Sequence, residues 1–271
     1  MQRLDGGAWG VFVYPWIMLI PFYPVRAIER CEDFALHVAS FAAVTYCLMP
    51  APSPVVLSAD PLSVATVVRV ARDGASVALA PSVGERLAAS RAVVDAALGD
   101  GKPHYGINTG FGSLSRKRIP AEDLRSLQRN LIRSHAAGIG EPLSDDIVRA
   151  MMFLLAASLC RGHSGVRREV VELIVSMLNA GLTPVVPSVG SVGASGDLAP
   201  LAAIGLTLIG EGACTSIDSP APTPTAQLLA AAGLNPLTLE AKEGLAIING
   251  THLMAARGAL LMHDAANTFN A

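Results

Sequence analysis

The sequence predicts a mainly helical protein with a small mixed α/β part towards its N-terminal end. Three observations carry this prediction. Of the 271 residues, 51% are hydrophobic, 15% charged and 5% aromatic. Low charge with abundant Ala, Leu and Val is the composition of helices buried on several sides. From Leu62 onward, apolar residues recur at helical spacing between breaks marked by Gly and Pro. Strand-like stretches are short and confined to two places early in the chain.

The elements follow in order. Val55-Val56-Leu57 reads as a strand, and Ser58 to Pro61 as a turn or helix entry. Leu62 to Arg72 reads as a helix stopped by Asp73-Gly74, and Ala75 to Ala80 alternates weakly like a strand. Pro81 opens a helix to about Leu98, where Gly99-Asp100-Gly101 ends it. Tyr105-Gly106-Ile107-Asn108-Thr109-Gly110-Phe111-Gly112 is too rich in glycine to pack as a helix, so it reads as a loop and a candidate site. Pro120 starts a helix through about Ala136, with Leu124, Leu127, Leu131 and His135 on its buried face. Ser144 reads as the cap of the next helix, with Asp145 and Asp146 in its first turn and the run Met151 to Leu159 inside it. Val166 to Ala180 is a further helix, stopped by Gly181. Thr183 to Gly196 reads as an irregular loop, and Asp197 to Gly210 as a buried helix with Pro200 in its first turn. Pro220 to Thr225 reads as a linker and Ala226 to Ala232 as a short helix. A last helix runs from about Glu243 and is broken near Asn249-Gly250.

A formal net charge of −2 argues against broad nucleic-acid binding, and Arg116-Lys117-Arg118 reads as a solvated loop. Cys31, Cys47, Cys160 and Cys214 show no Cys-x-x-Cys spacing, so free thiols and a reducing, cytoplasmic setting are expected. Cys160 and His163 lie three apart, but no second pair completes a ligand set and no metal is expected. Residues 1–48 form an atypical apolar extension that holds most of the aromatic residues. Pro15, Pro21 and Pro24 interrupt its apolar run and Asp5 weakens a signal-peptide reading, so no membrane segment is expected. The favoured reading sets this extension outside the fold, with Met49 as the true start.

The sharpest segment is Gly190-Ser191-Val192-Gly193-Ala194-Ser195-Gly196-Asp197-Leu198-Ala199-Pro200. A Gly/Ser loop before a helix is an anion-binding candidate, but the Lys of a P-loop and the spacing of a dinucleotide fingerprint are absent. A plain structural loop is a second reading. A third uses every residue. The Gly196 nitrogen attacks the Ala194 carbonyl carbon, which only glycine at that position allows. Loss of water from the ring and from the Ser195 hydroxyl then leaves an exocyclic methylidene, a strong electrophile. The helix beginning near Asp197 would direct its positive end at that group.

Here the sequence resembles the aromatic amino acid ammonia-lyases, which carry a 4-methylideneimidazole-5-one group (MIO) formed from Ala-Ser-Gly. The matching motifs are Tyr105 to Gly112, Leu127-Gln128-Arg129-Asn130-Leu131 leading to Ser134-His135-Ala136-Ala137-Gly138, Gly190 to Pro200, and Glu243-Gly244-Leu245-Ala246-Ile247-Ile248-Asn249-Gly250-Thr251. The resemblance spans about Val55 to Asp264. It implies a helical bundle, incomplete in this chain, and a homotetramer. It divides the chain into the extension 1–48, a mixed α/β part 49–112 with the active-site loop, and the first part of the MIO-bearing helical domain, 113–271.

The same resemblance assigns roles. Ala194, Ser195 and Gly196 form the MIO, with no external cofactor and no metal. Tyr105 removes the substrate's β-proton; a phenol with an ordinary pKa of about 10 is a poor base at neutral pH, so the site must favour its anion. Asp197 assists cyclisation, although it reads equally as a helix N-terminal charge. Asn249 binds substrate and helps position the MIO, although it reads also as a helix-breaking cap. Gly112 belongs to the substrate loop. Ser134-His135 is the pair that marks the members acting on L-histidine, whose product is urocanate. A polar His can hydrogen-bond an imidazole, which an apolar pair would leave unpaired. Three features depart from the family: the extension 1–48, His252 in a place commonly held by Gln, and the absence of the later bundle helices with the arginine expected to hold the substrate carboxylate. Rival readings are a phenylalanine or tyrosine lyase or aminomutase, an inactive lyase fragment, and a nucleotide-binding module on the Gly190–Gly196 loop.

Overall fold

The computed structural model describes residues 53–271. The extension 1–48, with Cys31 and Cys47, lies outside the described residues. Strands β1 (Val55–Leu57) and β2 (Val77–Leu79) pair in parallel, with Val55 opposite Val77 and Leu57 opposite Leu79. Helix α1 (Val64–Ala71) makes the crossover. Ser63 caps it, its Oγ accepting the Thr66 N–H at 3.1 Å. Helix α2 (Pro81–Gly99) begins on its proline, whose missing N–H costs nothing in a first turn.

The helical layers follow: α3 (Leu124–His135), α4 (Asp145–Cys160), α5 (Arg168–Asn179), α6 (Leu198–Leu208), α7 (Thr225–Ala231), α8 (Glu243–Ile248) and α9 (His252–Asn270). Helix α4 lies at the centre and packs against α1, α5 and α9. Its sequence explains that place. Val148, Met151, Met152, Phe153, Leu155, Leu159 and Cys160 are all buried, so the apolar surface goes round most of the helix. Burial also pushes the Cys160 thiol up to about 11, away from thiolate chemistry. Arg72, just after α1, donates to Asp146 on α4 at 3.0 Å and to Asp264 on α9 at 2.9 Å, tying three helices together.

Four local features differ from expectation. The predicted helix from Pro120 opens as a 3-10 turn, Ala121–Asp123, and becomes α-helical only at Leu124. Leu127 is only half-buried on its inner face. The predicted irregular loop 183–196 contains strands β4 (Thr183–Pro184) and β5 (Pro187–Val189) and a 3-10 turn, Gly193–Ser195. Strand β5 pairs antiparallel with an unforeseen strand, β3 (Ile139–Pro142). Strands of two to four residues with Pro and Gly leave no alternation to read, so only the tertiary partner reveals them. β4 pairs with β6 (Ala213–Thr215), which pairs with β7 (Thr223–Pro224). Finally, Ser144 has the extended backbone of an N-cap, but its Oγ donates to Asp146 Oδ1 at 2.6 Å, and Asp146 accepts the Ile147 N–H.

The break near Asn249-Gly250 is where the sequence places it, between α8 and α9. The segment Glu243–Asn270 is apolar enough and long enough, by length and composition, to cross a membrane. It is divided into two helices at the break, and α9 packs on α1 and α4.

Candidate active site

The four sequence motifs meet at the two ends of α8. Begin with the Tyr105 loop. Asn108 is buried and holds it closed, its Oδ1 accepting the His104 N–H at 2.6 Å and its Nδ2 donating to the Lys102 carbonyl at 2.8 Å. Gly106 has φ +74°, and a Cβ there would lie 2.5 Å from Leu245 Cδ2. Only glycine lets the loop sit this close to α8. Tyr105 stands beside that contact, 61% exposed, its ring edge-on to Phe111 at 6.1 Å. Gly112 is exposed at the end of the loop.

Helix α8 has no cap of its own. Its N-cap is Lys242, held at φ 73°, with no side-chain acceptor to offer. A buried glutamine from α3 does that work: Gln128 Oε1 accepts the Leu245 N–H at 3.3 Å. The fully buried Glu243 anchors the same end. It accepts from Arg167 Nε at 2.9 Å and from the Arg167 and Glu240 backbone N–H groups. Burial pushes its carboxyl up, but Arg167 and the two backbone donors outweigh this and hold it below the usual range.

The far end of α8 meets the Gly190–Pro200 segment. Asn249 is its exposed C-cap, so the helix-end reading and the substrate reading both fit it. The next carbonyl, on Gly250, accepts the Asp197 N–H at 2.8 Å. The Asp197 side chain is buried completely. Its Oδ2 accepts the Leu253 and Met254 N–H groups at 2.7 and 3.1 Å, and its Oδ1 accepts the Ser191 Oγ–H at 2.5 Å. This corrects one expectation. Asp197 stands before α6, yet its carboxylate caps α9 instead, because the free N–H groups of α9 are the donors that reach it.

The Ala194-Ser195-Gly196 turn is thus clasped to the α8–α9 junction. Ala194 and Ser195 are exposed within the 3-10 turn. Gly196 has φ +127°, and a Cβ there would lie 2.7 Å from Leu198 Cδ1. No other residue fits, and the same freedom is what a backbone cyclisation needs. The uncyclised residues therefore suit an MIO: a glycine nucleophile, an outward serine and a fixed carboxylate next in sequence.

Ser134 and His135 join from the other side. Ser134 is exposed, and His135 is half-buried rather than in the core as its helix face suggested. β3 follows them and pairs with β5, and Gly138 touches Gly190, where an added Cβ would lie 3.4 Å from the Gly138 Cα. His135 Nδ1 lies 2.9 Å from the Leu131 carbonyl and 3.1 Å from Ser134 Oγ; with its proton on Nδ1, the carbonyl accepts it. Among the described residues nothing bonds Nε2, which is left as an acceptor.

Sequence reasoning passed over three residues of this assembly: Ser191, Gln128 and His252 as a packing element. The His252 ring lies on Gly250, where an added Cβ would lie 2.3 Å from its Cε1. A lone Gln between Leu124, Leu127 and Leu131 was the available signal for Gln128. A separate cleft of about 530 Å³, lined by Asn108, Arg118, Arg125 and Glu240, contains none of Tyr105, His135, Ser195, Asp197 and Asn249. Its Arg125 and Glu240 already pair with each other.

Comparison with known proteins bears on this geometry. The family described as aromatic amino acid lyase matches residues 62–271. The chain belongs to the aromatic amino acid lyase family. It is 52% identical over 204 residues to the histidine ammonia-lyase of Symbiobacterium thermophilum, covering 75% of this chain and 40% of that protein. It is 53% identical over 209 residues to the histidine ammonia-lyase of Sorangium cellulosum, covering 76% and 40%. Among solved structures, histidine ammonia-lyase from Trypanosoma cruzi matches with a TM-score of 0.71 and 38% identity, over 76% of this chain and 39% of that one. Tyrosine aminomutase from Streptomyces globisporus matches with a TM-score of 0.72 and 38% identity, over 77% and 39%. The chain spans about two-fifths of the length of the curated relatives it matches.

Proposed function

We propose that this chain carries the electrophile-forming and ring-recognising part of an ammonia-lyase acting on L-histidine. The observation that carries the reading is the Ala194-Ser195-Gly196 turn clasped through Asp197 to the Asn249-Gly250 end of α8. An MIO formed there would supply an electrophile for the substrate amine. The chain's own residues do the rest. Tyr105, exposed beside α8, takes the β-proton. Asn249 presents its amide to substrate. His135, with its Nδ1–H held by Leu131, offers Nε2 to the N–H of the substrate imidazole. The relatives named as histidine ammonia-lyases support that substrate. A cytoplasmic homotetramer, with small amino acid substrates and no nucleic-acid or membrane partner, completes the proposal.

The test is intact mass followed by turnover. The chain should weigh two waters less than its sequence, and a Ser195→Ala variant should show its full mass. Histidine should then yield urocanate, read by its ultraviolet absorbance, ahead of phenylalanine and tyrosine. A second reading, an aminomutase, draws on the similarity to the tyrosine enzyme; a β-amino acid product would favour it. A mass deficit without turnover would support the inactive fragment, and a full mass would sink the MIO assignment.

A further inference from the structure

We propose that Ser191 is a positioning residue for the cyclisation of Ala194-Ser195-Gly196, holding the Asp197 carboxylate to the turn that reacts. The inference rests on the MIO reading above and deepens it. Its basis is a short chain of hydrogen bonds. Gly193 opens the 3-10 turn, and its N–H donates to Ser191 Oγ at 3.1 Å. The Ser191 hydroxyl in turn donates to Asp197 Oδ1 at 2.5 Å. A serine hydroxyl that donates to a carboxylate becomes a better acceptor, so the two bonds strengthen each other. The other carboxylate oxygen is occupied by α9. Ser191 is therefore the one side chain among the described residues that joins this buried carboxylate to the turn.

The reaction shows why that link matters. The Gly196 nitrogen bonds to the Ala194 carbonyl carbon. The Ala194 oxygen leaves as water with the amide hydrogens of Gly196 and Ser195, and a double bond forms between the Ala194 carbon and the Ser195 nitrogen. The Ser195 hydroxyl leaves as the second water with the Ser195 Cα hydrogen. No oxidant or co-reactant enters. Before reaction, both amide hydrogens are held inside the turn: Gly196 N–H donates to the Gly193 carbonyl at 3.0 Å and Ser195 N–H to the Val192 carbonyl at 3.3 Å. The Gly196 bond must open for attack. Ser191 holds Gly193 from the other side of that bond, so the turn can release Gly196 without losing its place beside Asp197. Without the hydroxyl, Asp197 Oδ1 is buried with no donor and Gly193 loses its anchor.

The experiment follows the two-water mass deficit in the whole chain at intervals after a brief induction, in Ser191→Ala, Ser191→Thr and Ser191→Cys. Thermal melts of all three are recorded alongside. Loss of a hydrogen bond to a charged group should slow the deficit by roughly tenfold or more in Ser191→Ala. Ser191→Thr keeps the hydroxyl and should stay within about threefold of the parent, with Ser191→Cys between them. If Ser191→Ala does not fold, the Thr and Cys variants carry the comparison. Equal rates in the parent and Ser191→Ala, or equal slowing in all variants in step with their melting temperatures, would overturn the proposal. A parent chain that never loses water overturns the MIO reading with it, whereas equal rates overturn this inference alone.

Discussion

Burial favours the neutral form of the His252 imidazole. Its Nδ1 is enclosed with no hydrogen-bond partner among the described residues, and desolvation holds its pKa below the ordinary 6.5 despite the pull of Asp197. The unfolded chain therefore binds a proton that the folded chain refuses. Stability is full above pH 6.5 and falls as the pH drops towards the lowered folded value. Melting temperatures at pH 7.5 and 5.5 should differ less for His252→Gln than for the parent; an unchanged difference would count against this origin. Tyr105 and His135 separate in the same way by chemistry. The Tyr105 hydroxyl makes no hydrogen bond among the described residues, so Tyr105→Phe should leave the melting temperature and the mass deficit intact. Turnover, where measured, should fall by about 10²-fold or more. In the proposed reading, where His135 accepts from the substrate ring and Tyr105 takes the proton, His135→Phe should raise KM for histidine more than it lowers kcat.

At the scale of the element, α8 is a six-residue helix too short to stand alone. Its position comes from its neighbours. Arg167→Met would strip the buried Glu243 of its charge partner, and such losses cost about 3–5 kcal/mol. Urea unfolding should show this directly. The depressed Glu243 carboxyl adds an acid-side prediction. Its stabilisation is present above the ordinary 4.5 and is lost as the pH falls through the lowered folded value, and Glu243→Gln should flatten that loss. The Gln128 contact is equally tight. A Cβ on Gly244 would lie 2.8 Å from the Gln128 carbonyl oxygen, so Gly244→Ala should destabilise by about 1–3 kcal/mol through overpacking. A neutral result would mean that α3 and α8 can move apart.

At the scale of the whole molecule, α9 presents an apolar face that the other described residues leave exposed. Leu261, Met262 and Phe269 are 69%, 65% and 91% exposed, on a chain that spans two-fifths of its relatives. Such a face drives association in water. Sedimentation velocity should show concentration-dependent self-association, reduced in Leu261→Glu with Phe269→Ser. Monomers at every concentration would show that the face is tolerated.

The sequence by itself determined the helices, the breaks at Gly99, Gly181 and Asn249-Gly250, and the motifs of the site, because these depend on local period and on residues with one conformational use. It also named Ser195, Tyr105, His135 and Asn249 through an ordered family resemblance. Which helix Asp197 serves, which residue caps α8, and how β3 sets Gly138 against Gly190 were decided only by the tertiary structure. Each depends on a donor or acceptor brought from more than 45 residues away, as Asp197 to Leu253 and Gln128 to Leu245 show. A buried polar group takes whichever partner the packing supplies, and that choice leaves no periodic trace along the chain.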